Sequence, residues 1–191
     1  MASIHPQIAD VVDELATCSD RLHALAGSVG EAELLARPNA STWSIAECIA
    51  HLALTSRAYL PIIDTALAAG ERAVAGETPR FRMDMKGRLL CWIVEPPYRV
   101  KVKTPPAFVP DVPASRADAL ESFDASQADL VSRIRAGDGA ALDRIMVVSP
   151  FNAHMRYNLY SCFKVLPAHE RRHIWQGEQI RSMLRTASAS S

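Results

Sequence analysis

The sequence of 191 residues has no net charge, no long apolar run and no paired cysteines, and each absence removes a class of protein. Lys and Arg total 21, as do Asp and Glu, so composition gives no general pull toward DNA, RNA or an anionic membrane. No uninterrupted apolar stretch approaches the roughly 18 residues a membrane helix needs. The opening Met1-Ala2-Ser3-Ile4-His5-Pro6 lacks a basic segment followed by an apolar one, so secretion is not expected. The four cysteines, Cys18, Cys48, Cys91 and Cys162, form no C-x-x-C. That argues against a zinc ribbon or a redox dithiol and fits free thiols in a reducing cytoplasm. Cys48 and Cys162 fall on apolar stripes, as packing cysteines do. An internal repeat, which stacked helical arrays require, is also missing.

What is present reads as four amphipathic helices. The first covers 5–28, with Pro6 in its first turn and Ile8, Val11, Val12, Leu15, Leu22 and Leu25 at helical spacing. Ser44 and Glu47 form a capping box that opens a second helix running to Gly70, with Trp43 packing back onto it. Pro61 is expected to bend that helix. The third helix spans 114–136, opened by Ser115 with Asp118 and stopped by Gly137 and Gly139. A loop through Ser149–His154 leads to a fourth helix that begins between Met155 and Leu159 and reaches about Leu184. The tail 186–191 is expected to fray. Residues 71–113 hold seven of the twelve prolines and read as a long crossover, with an apolar segment Leu89–Val94 and an extended-looking Tyr98–Lys103. Its basic residues Arg72, Arg80, Arg82, Lys86, Arg88, Arg99, Lys101 and Lys103 outnumber its acids. They serve either as a solvated connection or as the border of a pocket for a small anion. Together these elements predict a single all-α domain over 1–191, a four-helix bundle with a long crossover between its second and third helices.

Histidine carries the chemistry. On the fourth helix the inward stripe runs through Leu159, Cys162 or Phe163 and Leu166 to His169 and His173, then to Ile180 and Leu184. Leucine or valine belongs at 169 and 173 if that face only packs, because two polar rings in a core stripe must be hydrogen-bonded or coordinated. Residues four apart share a helix face, so the two imidazoles can hold one ion. His51 is the only histidine of the second helix; alone, at the border of its apolar stripe, it carries no ligand spacing. His5 and His23 read as exposed or capping. His169-Glu170-Arg171-Arg172-His173 also matches the metalloprotease pattern H-E-x-x-H. Only 18 residues follow His173, however, and the next acid, Glu178, lies on the same helix. Glu170 therefore reads as an exposed or supporting residue rather than a general base.

The stretches Trp43–Leu52 and His169–Gln176, with Glu95–Pro105 between them, resemble the DinB-like (YfiT-like) family of metalloenzymes over nearly the whole chain. The resemblance implies a four-helix bundle, often a homodimer, in which His51, His169 and His173 hold a divalent metal ion such as zinc, nickel or iron. It further implies a cytoplasmic enzyme that transfers a low-molecular-weight thiol (mycothiol, bacillithiol or glutathione) onto a small electrophile. A metal-dependent hydrolase and a non-catalytic, stress-associated helical dimer with a structural metal are the alternatives. The partner is a small-molecule substrate. Nucleic acid is not expected, since a basic helix and aromatic–basic interleaving are missing, and a membrane is not expected without a long apolar run or net charge.

Overall fold

A computed structural model describes residues 4–72, 80–97, 99–100 and 103–189, with residues 188 and 189 in backbone only. The described residues are mostly helical. In chain order they form α1 (Pro6–Gly27), α2 (Glu31–Leu35), α3 (Ile45–Ala69), α4 (Met85–Val94), a 3₁₀ turn (Pro106–Phe108), α5 (Arg116–Ala136), the strands β1 (Met146–Ser149) and β2 (Asn152–Asn158), and α6 (Leu159–Ala189).

The helix starts follow from their capping residues. His5 Nδ1 accepts from the Gln7 N–H at 3.2 Å, closing the first turn of α1 beside Pro6. At α3 the Ser44 hydroxyl accepts from the Glu47 N–H at 3.1 Å, and the Glu47 carboxylate accepts from the Ser44 N–H at 2.8 Å. The Ser115 hydroxyl does the same for Asp118 at the head of α5, again at 3.1 Å. Caps of this kind are each worth about 1 kcal/mol. Pro61 and Pro167 sit within α3 and α6, and neither ends its helix.

α3 packs against α5 and α6, while α1 packs against α6 and α5. The buried apolar residues form two clusters. One gathers Leu15, Ile63, Leu130, Tyr157 and Phe163 among others; the second gathers Leu22, Ile49, Phe123, Ile174 and Ile180 among others. Between them lies a level of buried polar side chains: His51, Gln127, Glu170 and His173. This level is where the fold places its chemistry.

Three features depart from the expected architecture. The crossover is not irregular throughout, because Asp84 caps α4 by accepting from the Gly87 N–H at 2.7 Å and from the Asn158 N–H at 2.8 Å. Residues 80–95 contain no proline, so a helix forms between two proline-rich flanks. The loop before α6 is instead an antiparallel hairpin pairing Val147 with Tyr157 and Val148 with Arg156, with an irregularity before Ser149. It adds a small sheet to the expected all-α fold. α6 stays helical to Ala189 rather than fraying from 186; residues 190 and 191 lie outside the described residues. Of the extended reading at Tyr98–Lys103, residues 98, 101 and 102 lie outside the described residues, and 99, 100 and 103 belong to no strand.

Candidate metal centre

α3 and α6 present three imidazoles to one another. His51 is two turns into α3, between the buried Ile49 and Leu52. His169 and His173 are one turn apart on α6 and face it. One ring nitrogen from each of the three lies within 4.8 Å of the others. The ring centroids are separated by 5.2 Å (His51–His169), 4.5 Å (His51–His173) and 4.6 Å (His169–His173). His169 Nε2 and His173 Nε2 are 3.2 Å apart, close to the roughly 3.3 Å between two nitrogens held at zinc–imidazole bond lengths around a tetrahedral ion.

Supporting groups orient the rings. His51 Nδ1 lies 2.8 Å from the Phe108 carbonyl oxygen. A carbonyl only accepts, so Nδ1 carries the proton and the Nε2 lone pair is left for the centre. This is the support that metal-ligating histidines ordinarily receive. Trp43 stands over His51 at 5.0 Å and stacks near His173 at 6.0 Å between centroids. Phe151, delivered by the turn of the hairpin, lies 5.9 Å from His169 and 6.4 Å from His51 and stacks on Phe108 at 4.0 Å. Aromatic rings thus wall the centre on several sides.

Electrostatics favour neutral imidazoles. Burial lowers the pKa of all three histidines, and His169 and His173 are pushed well below the ordinary value. At His51 the Phe108 hydrogen bond partly opposes burial; at His169 and His173 the neighbouring imidazoles and Arg172 add to it. A neutral imidazole is the form that binds a cation. Among the described residues no acid or cysteine joins the cluster, so three nitrogens fit a centre with open coordination positions.

Glu170 is neither exposed nor part of this centre. It is buried, with Oε2 accepting from the Gln127 amide at 3.0 Å across on α5. Burial pushes its carboxyl up to about 8, against smaller downward pulls from Gln127, Cys18 and Arg171. One residue along a helix is a turn of about 100°, enough to point His169 and Glu170 into different neighbourhoods. The two arginines of the motif have structural partners. Arg171 pairs with both oxygens of Glu95 at 2.7 and 2.8 Å and with Glu14 at 2.9 Å. Arg172 donates to the carbonyls of Ile93 and Val100 at 3.1 and 3.4 Å. Together with the Phe108 contact, they strap the crossover across α6 and α3.

The remaining candidates fall elsewhere. Cys48 and Cys162 are buried packing residues, as their stripes indicate, and burial pushes their thiols up. His5 caps α1, and His23 meets Asp124 at 2.8 Å on the surface. Of the crossover's cations, Lys86 and Arg88 are exposed on α4, and Arg99 lies over the Trp92 ring at 5.3 Å; Lys101 lies outside the described residues. Phe108 and Phe151 carry no local signal, because a loop and a hairpin turn bring them in from distant parts of the chain.

Residues 14–176 match the family model of the DinB superfamily. Among curated proteins and among solved structures, nothing matches the chain.

Proposed function

The chain belongs to the DinB superfamily, and from that footing we propose that it is a divalent-metal-dependent enzyme joining a small thiol to a small electrophile. The observation that carries this reading is the convergence of three imidazoles from α3 and α6, His51 among them held by the Phe108 carbonyl. His51, His169 and His173 would hold the ion. A bound ion supplies a lowered pKa to a thiol or water at its open positions, giving a nucleophile near neutral pH. The protein's own part is positional. Phe108 fixes the His51 tautomer, burial disfavours the protonated imidazoles, and Trp43, Phe108 and Phe151 wall the centre. α1, α3, α5 and α6 are read as the four helices of a bundle within one domain, acting in the cytoplasm as a homodimer.

The choice of transfer over hydrolysis rests on Glu170. Its hydrogen bond to Gln127 turns it away from the imidazoles, so the carboxylate that a H-E-x-x-H hydrolase uses to activate water has no counterpart in the cluster. The test is turnover of an electrophile panel with mycothiol, bacillithiol or glutathione by metal-loaded protein. Thiol-dependent product formation that His169→Ala abolishes and Glu170→Gln retains is the expected result. Thiol-independent hydrolysis that Glu170→Gln abolishes would replace this reading, and a metal-loaded protein inert to every pair would reject it.

A further inference from the structure

The outward face of α4 has a use the metal centre does not give it. Its inward face is fixed: a Cβ on Gly87 would overlap Ser161 of α6, and Asp84 bonds Gly87 and Asn158. Opposite Gly87, Met85, Leu89 and Trp92 are 85%, 54% and 53% exposed. At about 100° per residue these three fall within an arc of about 60°, with Lys86 on one flank and Arg88 on the other. Arg99 lies over the Trp92 ring, 5.3 Å from its centroid. The acids of this segment are turned inward, Asp84 as the helix cap and Glu95 as the partner of Arg171. The face is therefore apolar at its crest and cationic at its edges.

From this segregation we propose that α4 is a docking surface for an anionic lipid bilayer. Such a helix lies in the interface plane, its apolar residues entering the headgroup boundary and its cations meeting anionic lipid. Charge complementarity decides the occupant. In a two-fold dimer built on this face, the same patch meets itself, and Lys86, Arg88 and Arg99 of each copy would stand against like charges. An anionic surface neutralises them instead. The neutral total charge does not oppose this, because attraction to a surface falls off within a Debye length and reads only the local patch. This proposal does not depend on the metal centre.

The test is co-sedimentation of the full chain with equimolar phosphatidylglycerol–phosphatidylcholine vesicles and with phosphatidylcholine vesicles, followed alongside by tryptophan emission. Binding to the anionic vesicles alone is expected, weakened by added salt and accompanied by a blue shift that Trp92→Phe removes. Lys86→Gln with Arg88→Gln should weaken partitioning about thirtyfold, the loss two interfacial cations represent. Both positions are exposed, and unchanged far-ultraviolet circular dichroism checks the fold of each variant. Absence of binding to anionic vesicles, equal binding to both vesicle types, or equal binding by the double variant would overturn the proposal. So would concentration-dependent self-association, without vesicle binding, that Leu89→Glu abolishes; that result gives the face to a second copy.

Discussion

His169 and Glu170 are consecutive residues of one helix, yet they lie in two unlike interiors. Toward α3, His169 meets two further imidazoles and a wall of aromatic rings, with His51 held by a backbone carbonyl. Toward α1 and α5, Glu170 meets the Gln127 amide and, more weakly, the Cys18 thiol. Both belong to the polar level between two apolar clusters. On one side the polar atoms converge on a common point, leaving lone pairs for a cation. On the other they satisfy one another incompletely, and burial pushes the carboxyl up to about 8. A sequence motif that joins the two residues is thus divided by the rotation of the helix.

The sharpest way to break the comparison is to remove a converging nitrogen. His173→Ala should cost more metal affinity than the roughly 10- to 100-fold lost when only a supporting group is removed, read as metal retained after dialysis. Equal retention by wild type and variant would put the ion elsewhere. Next in size, Gln127→Leu should destabilise the fold by about 1–3 kcal/mol, because it strips Glu170 of its amide in a buried setting. Chemical denaturation measures this, with metal content as the control that should not move.

A second buried carboxyl sharpens the contrast. Glu47 is as buried as Glu170, and burial alone would raise its pKa as well. The Arg37 guanidinium and the N–H and hydroxyl of Ser44 outweigh burial and hold it below the ordinary value of 4.5. A depressed folded pKa means that the unfolded chain binds more protons as pH falls. The stabilisation from Glu47 is therefore complete above about 4.5 and is lost as pH drops through the folded value. Glu47→Gln should lower stability near neutrality, and the gap to wild type should narrow on acidification, read by denaturation across pH. A gap constant with pH would contradict the assignment. The smallest effect belongs to Glu170→Gln, which should leave metal affinity within about twofold, far below the change a supporting group makes.

The long helices were legible because their apolar spacing and capping residues act locally. Ser44 with Glu47, and Ser115 with Asp118, mark starts that the structure retains. His169 and His173 were legible as polar rings on a core stripe. His51 was not legible on its own, since one border histidine has no spacing to interpret; the bundle reading offered it as the second helix's only histidine, the family resemblance then singled it out, and the fold buries it to 2% exposure. α4 was hidden by the prolines around it, although Asp84 is an ordinary cap. The hairpin was hidden because β1 is four residues long, too short for alternation to declare itself. Phe108 and Phe151 reach the centre through tertiary contacts that no local pattern encodes.

Titration of metal-free protein with cobalt(II), followed by visible absorption, tests the central claim most directly. Wild type should take up a single equivalent with the intense bands of a low-coordinate nitrogen site, and His51→Ala should show no such bands at the same concentration. Identical spectra for the two proteins, or no uptake by wild type, would contradict a centre shared between α3 and α6.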